Sequence, residues 1–165
     1  MRTSWALPIL LLIGGTASTM AVGSAQRDDV LKPASVRLAA AGQAALARSD
    51  GPAAIDAFEA ALAVDPKNVP AFNGIARAYE VQGLPGKAVK YYREALALNP
   101  SDLGALEGQG KALVARGATA RAQVNLARIK ALCKHDWSAA TRLQTALTTA
   151  MASAESVKAP VAAKN

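Results

Sequence analysis

The sequence predicts an all-α protein, and three observations carry the prediction. Apolar residues make up 52% of the 165-residue chain and aromatic residues only 4%, so the apolar content is mostly Ala and Leu, which favour helices. No run of β-branched and aromatic residues alternates with polar ones, as a half-buried strand would. The segment AFEAALAVDP, ending at Pro66, has a near-copy, YYREALALNP, ending at Pro100. This 34-residue period predicts stacked supersecondary units.

Residues 1–25 have the layout of a secretory signal peptide. Arg2 gives a positive start, an apolar core runs from Trp5 to Ile13, and small residues close the segment at Ala25. We therefore expect cleavage after Ala25 and an exported, periplasmic protein. The alternative is an uncleaved inner-membrane anchor over residues 5–25, which the short apolar core disfavours because a spanning helix needs about 20 apolar residues.

The exported chain would be basic. Without residues 1–25 it keeps 18 Lys and Arg against 12 Asp and Glu, a net charge of +6. Such a chain suits an anionic membrane surface, an acidic polysaccharide or an acidic protein. The charges are scattered, however, and no basic stripe with stacking aromatic residues or known nucleic-acid motif is present. The sequence therefore predicts no nucleic-acid partner, and a membrane partner only through an uncleaved signal segment.

Three segments align without a gap when the chain is shifted by one period, namely 35–68, 69–102 and 103–136. Each reads as two helices joined by a tight turn. In the second unit, Gly83 lies at the break between two amphipathic helices and Pro100 ends the second of them. No such hairpin can bury its apolar faces alone, so the hairpins are expected to stack.

Positions that are one period apart also agree in size. Small residues recur where paired helices must approach closely, in the columns Gly42, Ala76, Gly110 and Ala54, Ala88, Ala122. Large apolar residues recur beside them, in the columns Leu38, Phe72, Leu106 and Phe58, Tyr92, Leu126. The repeat therefore specifies packing as well as length.

This alternation of small and large residues, with the 34-residue period and the closing Pro, resembles the tetratricopeptide repeat. The second unit matches best. The first departs at Ala41 and Ala45, where bulkier residues are usual, and the third departs at Gln109, Ile129 and Lys134. The resemblance implies a right-handed superhelical stack of three helix-turn-helix units over residues 35–137. The last helix of the third unit is expected to run on to about Cys133.

The end of such a stack normally has a capping element, because the last repeat exposes an apolar face. We expect a capping helix over residues 138–154, with Asp136 or Ser138 as its N-cap. Three apolar residues share one stripe of this helix: Leu143, Leu147 and Met151. Residues 155–165 are expected to be a disordered tail, and residues 26–34 a short leader.

The sole Cys and the sole His lie together in the segment CKHDW. Cys133, His135 and Asp136 have no second cluster to complete a metal shell, and a Cys–His nucleophile would also need an orienting third group. No phosphate-binding glycine loop, Gly-x-Ser-x-Gly or His-Glu-x-x-His motif is present. We therefore predict no catalytic residue, no cofactor and no metal site. Cys133 is expected to be a semi-buried thiol, with an intermolecular disulfide as the alternative.

The resemblance further implies a groove, lined by the first helices of the units, that takes an extended or helical peptide. The groove-facing columns would be Ala39, Asn73, Glu107; Gln43, Arg77, Lys111; and Leu46, Glu80, Val114. We interpret the six polar members as partner-binding residues: Gln43, Asn73, Arg77, Glu80, Glu107 and Lys111.

Three of these residues suggest how a partner would be held. Arg77 and Lys111 lie one repeat apart and could pair with the carboxylates of an acidic peptide. Asn73 could bond a peptide backbone through both its donor and its acceptor. The competing interpretation is a solvated face with internal salt bridges.

The family's groove in its best-known form binds a C-terminal carboxylate through a Lys/Asn/Arg set. Ala39 and Gln43 stand where the first unit would supply Lys and Asn, so recognition of a chaperone tail is not expected. The leading hypothesis is a non-catalytic periplasmic adaptor that binds a protein partner in an envelope or pilus assembly complex of a Gram-negative bacterium. The alternative is a structural, self-associating oligomer that uses the open face of the first unit or Cys133.

Overall fold

The computed structural model of the protein describes residues 30–158, and within this range it contains seven α-helices and no strand. In chain order they are α1 (Pro33–Ala47), α2 (Gly51–Val64), α3 (Val69–Val81), α4 (Pro85–Leu98), α5 (Leu103–Ala115), α6 (Thr119–Leu132) and α7 (Ser138–Lys158). The predicted signal segment 1–25 lies outside the described residues.

The helices pair in sequence order. α1 packs on α2, α3 on α4 and α5 on α6, and each hairpin packs on the next through α2–α3 and α4–α5. The first helices α1, α3 and α5 also contact one another in turn, and α7 lies against both α5 and α6. The molecule is therefore a stack of three helical hairpins closed at one end by α7.

Local signals place the helix starts. Asp50, Asn68 and Asp102 precede α2, α3 and α5, and each side chain accepts a hydrogen bond from the backbone N–H three residues on, at 3.1, 3.0 and 2.6 Å. Proline occupies the first turn of α1, α2, α3 and α4. Asp and Asn are preferred just before a helix because their side chains accept a hydrogen bond from a backbone N–H that has no partner within the helix. Proline is preferred in the first turn because it has no N–H that would need such a partner.

The turn inside each hairpin uses one residue in the left-handed region. Ser49, Gly83 and Gly117 have φ values of 59°, 69° and 73°, and each lies one repeat period after the one before. Glycine adopts this conformation without cost, whereas a side chain crowds the following carbonyl oxygen. The turn of the first hairpin, at Ser49, is therefore strained relative to the other two.

The buried apolar residues form two clusters of unequal content. The larger joins the second and third hairpins to α7 and contains Tyr92, Leu106, Leu113, Ile129, Leu143 and Leu147 among its most buried members. The smaller joins the first hairpin to α3, and its buried members are Phe58, Ile75 and six alanines. The first unit is thus held mainly by small side chains.

Two predicted boundaries differ from the structure. α1 begins at Pro33, two residues inside the predicted leader 26–34, because the fixed φ of proline suits the first helical position. α7 continues to Lys158, so residues 155–158 are helical and not part of a disordered tail; Pro160, which disfavours helix in the residue before it, comes only after this point. Residues 159–165 of the predicted tail lie outside the described residues.

α7 packs through two of the three apolar residues predicted to share its stripe. Leu143 and Leu147 are buried, whereas Met151 is 53% exposed. Ahead of the helix, Asp136 accepts a hydrogen bond from the backbone N–H of Ser138 at 2.8 Å. Within residues 30–158, no helix combines the length and apolar character that a membrane crossing requires.

Candidate partner-binding groove

The candidate groove is the surface formed by the adjacent first helices α1, α3 and α5 together with α7. Two hydrogen-bonded pairs cross it between neighbouring helices. Arg77 on α3 donates to Gln43 on α1 at 3.3 Å, and Arg142 on α7 donates to Glu107 on α5 at 2.6 and 2.7 Å. Partners about one repeat apart in sequence are therefore side by side in space.

Glu107 is the organising residue of this surface. It is 8% exposed, and both of its carboxylate oxygens are engaged, because Arg142 bonds Oε1 and Oε2 while the Lys111 ammonium bonds Oε1 at 2.6 Å. Burial by itself would raise the pKa of Glu107, but the bonds from Arg142 and Lys111 outweigh it and lower the pKa. Glu107 therefore positions two cations and offers no free oxygen to a partner.

Glu80 has the opposite electrostatic balance. Burial raises the pKa of its carboxyl, although the Tyr92 hydroxyl donates a hydrogen bond to Oε2 at 3.0 Å. Burial likewise raises the pKa of Tyr92, which is 2% exposed, so its hydroxyl stays protonated and acts as the donor. Glu80 therefore has one carboxyl oxygen, Oε1, that forms no hydrogen bond within residues 30–158 and that a partner could contact.

Asn73 does not present the acceptor that the sequence suggests. Its side-chain Nδ2 donates to Asp102 at 3.1 Å, and its Oδ1 is buried without a hydrogen-bond partner. Asp102 also caps α5, so Asn73 is tied to the start of the next unit. In this conformation the Asn73 oxygen is buried and is not presented to a peptide backbone, and the partner-binding role of Asn73 stays a prediction.

Three cations remain open to solvent along the groove. The Arg77 residue is exposed, and the side chains of Lys111 and Arg142 are 41% and 54% exposed. They project from α3, α5 and α7 in succession. The repeat columns predict Arg77 and Lys111 at this surface but not Arg142, because Arg142 lies in the capping helix and outside the three aligned units. The available signal was the separation of Arg142 from Glu107 along the chain, which is close to the repeat period.

The competing interpretation of internal salt bridges applies to part of this surface. Both ion pairs found within residues 30–158 involve Glu107. Arg77 has no ion pair in that range and only a long hydrogen bond to Gln43. The partner-binding role of the six predicted residues stays a prediction.

Cys133 is placed where it cannot readily join two chains. It follows the last residue of α6 and is 9% exposed within the larger core cluster. A disulfide between copies through Cys133 therefore does not fit this packing, because the sulfur is covered by apolar neighbours. His135 and Asp136 are exposed, and no three His, Cys, Asp or Glu side chains in the described part of the chain come together as metal ligands.

Comparison with protein families decides the classification. A family model described as tetratricopeptide repeat matches residues 39–103 and again residues 75–127, which together span more than half of the chain. The protein belongs to the tetratricopeptide repeat family. No curated protein matches it.

Solved tetratricopeptide structures share the fold. The first such domain of human RPAP3 aligns with a TM-score of 0.67 at 24% identity, over 74% of this chain and 96% of that one. The Sgt2 domain from Aspergillus fumigatus aligns with a TM-score of 0.68 at 24% identity, over 81% of this chain and 87% of that one. The predicted all-α stack of tetratricopeptide units is therefore confirmed.

A third similar structure is the first tetratricopeptide domain of Spaghetti (RPAP3), solved with the HSP90 peptide SRMEEVD. It aligns with a TM-score of 0.67 at 24% identity, over 74% of this chain and 99% of that one. At 24% identity, the similarity to these structures shows a shared fold and does not show a shared ligand.

Proposed function

We propose that this protein is a non-catalytic adaptor that binds an acidic peptide or helix of a protein partner in the groove. The observation that carries the proposal is the row of solvent-exposed cations Arg77, Lys111 and Arg142 on the neighbouring helices α3, α5 and α7. Guanidinium and ammonium groups are the preferred protein partners of carboxylates. The similar domain solved with SRMEEVD, a peptide with three acidic residues, supports a peptide as the kind of ligand.

The expected mode of binding is along the length of a peptide. Ala39 and Gln43 stand where the family's best-known clamp for a C-terminal carboxylate has Lys and Asn, so acidic side chains are the expected contacts. Arg142 is held by two hydrogen bonds to Glu107, which limits the side-chain entropy that Arg142 loses when a partner binds.

We also propose that the adaptor works in the periplasm of a Gram-negative bacterium, in an envelope or pilus assembly complex. The support is the signal-like layout of residues 1–25. The intact mass of the protein recovered from fractionated cells tests this: a periplasmic species beginning at Gln26 is expected. A full-length species in the inner membrane would replace this proposal with the anchored form.

The groove is tested by crosslinking in the native envelope followed by mass spectrometry. The double variant Arg77→Ala with Lys111→Ala is expected to lose the partner, while Arg142 remains to hold Glu107. The matched control is Arg121→Ala with Lys134→Ala, which removes the same charge from exposed positions outside the groove.

Each result has a definite meaning. A partner captured by the native chain and the control, and lost by the groove variant, supports the adaptor. Equal capture by all three would exclude Arg77 and Lys111 as contacts, and equal loss in both variants would point to net charge in place of the groove.

A further inference from the structure

The outward faces of α2 and α4 have opposite charges at equivalent positions. Asp56 and Glu59 lie on α2, and one repeat later the same two positions on α4 hold Lys90 and Arg93. All four side chains belong to exposed residues. One repeat thus presents two acids, and the next presents two bases with the same three-residue spacing.

None of these four charges is neutralised within residues 30–158. Both ion pairs in that range involve Glu107, and the four side chains form no hydrogen bond there. The Lys90 ammonium lies 5.7 Å from the centroid of the Tyr91 ring, and this is the one polar interaction found for the group. A self-complementary charge pattern is therefore left open on the outside of the stack.

We propose that this surface, the α2–α4 face formed by Asp56, Glu59, Lys90 and Arg93, is the docking site for a second copy of the chain. A two-fold axis that runs parallel to α2 and α4, outside the molecule and above the gap between them, places the second copy's α4 opposite α2 and its α2 opposite α4, with the facing helices running in the same direction. Asp56 then faces the second copy's Lys90, and Glu59 faces the second copy's Arg93. Because the contact is isologous, each pairing occurs twice.

Two features of the stack favour the pairing of α2 with the second copy's α4. Ala63 and Ala97 are exposed on the same two helices, so small side chains flank the charges and allow close approach. On α6 the corresponding positions are Val124 and Ala127, which have no charge. A dimer shifted by one repeat would therefore leave Lys90 and Arg93 without partners, and the α2–α4 pairing is favoured over it.

The α2–α4 face lies on the second helices, while the groove lies on the first helices and α7. A dimer built on it leaves both grooves open, so one assembly would present two binding surfaces to a partner with two acidic segments. Dimerisation through the α2–α4 face does not depend on what the groove binds. The groove variant Arg77→Ala with Lys111→Ala is expected to dimerise like the native chain.

Sedimentation equilibrium of the full chain gives the first test. Exposed ion pairs are weak and screened by salt, so the fraction of dimer is expected to be high at about 0.01 M salt and to fall strongly at about 1 M, where the Debye length shrinks from about 30 to about 3 Å. A monomer at every salt concentration and at high protein concentration would overturn the proposal.

Charge reversal gives the second test. The variant Asp56→Lys with Glu59→Lys and the variant Lys90→Glu with Arg93→Glu are each expected to be monomeric, because the face then has a single sign. An equimolar mixture of the two is expected to form a heterodimer. Failure of the mixture to associate, with both variants folded by circular dichroism, would contradict the pairing.

The control is Arg121→Glu with Lys134→Glu, which changes the net charge by the same amount as Lys90→Glu with Arg93→Glu. It is expected to dimerise like the native chain, since both exposed positions lie outside the α2–α4 face. A loss equal to that of the Lys90/Arg93 variant would show that net charge, and not this face, controls association.

Discussion

Glu107 combines burial with full pairing, and the two effects act on its pKa in opposite directions. Burial penalises the charged form, whereas Arg142 and Lys111 stabilise it, and the pKa is lowered as a result. A carboxylate whose pKa is lower in the folded than in the unfolded protein adds stability above its ordinary pKa, and this stability is lost as the pH falls through the lowered value. The pair therefore ties α7 to α5 at neutral pH.

Replacing Arg142 with Ala tests this link. The midpoint of thermal unfolding is expected to fall at pH 7, because Glu107 stays buried with one cation fewer. The difference from the native protein should shrink as the pH falls below the ordinary pKa of glutamate, 4.5, where protonation removes the charge.

Arg121→Ala serves as the control for the loss of an exposed arginine, since Arg121 has no ion pair within residues 30–158. It should leave the midpoint of unfolding close to the native value at both pH values. A loss of stability in Arg142→Ala that does not change with pH would show that Arg142 acts through packing and not through the charge of Glu107.

The elements are joined by aromatic rings that fit against glycines. Phe58 on α2 packs against Gly74 on α3, and one repeat later Tyr92 on α4 packs against Gly108 on α5; a methyl group at either glycine would overlap the ring. The next pair in the series is Leu126 and Arg142. The pattern therefore stops at α7, where a long side chain replaces the glycine and reaches Glu107.

The substitution Gly74→Ala tests this fit. It is expected to destabilise the protein by about 1–3 kcal/mol in urea unfolding, because the added methyl group displaces the buried Phe58 ring. Gly86→Ala on α4 is the control, since a Cβ there would lie 3.9 Å from its nearest neighbour, the Arg116 side chain. Equal effects of the two substitutions would mean that helix propensity, and not the contact with Phe58, governs the result.

The whole molecule is expected to have a gradient of stability along the stack. The cluster that holds the first hairpin is small and rich in alanine, whereas the second and third hairpins share a larger cluster with α7. Less apolar area buried means a lower free energy for local opening. Strain in the turn at Ser49 acts in the same direction.

Native-state hydrogen exchange measures this gradient. Backbone amides of α1 and α2 are expected to exchange through openings of lower free energy than those of α5 and α6. Uniform protection across the stack would contradict the expectation and would show that the hairpins open as one cooperative unit.

Much of the fold could be predicted from the sequence because its signals are local or periodic. Proline and Asp or Asn mark helix starts, Gly83 and Gly117 mark turns, and the repeat period fixes the number of units. Less of the site could be predicted. The period places Arg77 and Lys111 one repeat apart, but it does not reveal that Asn73 turns its oxygen inward.

The sequence by itself determined the helical hairpins, their order and the columns of small and large residues, since each depends on neighbours within a few positions or one repeat away. Only the tertiary structure decided that Glu107 forms an ion pair with Arg142, that Cys133 is buried and that Met151 is exposed. The physical reason is that burial and ion pairing depend on which side chains meet across helices, and residues that are far apart in the sequence make those contacts.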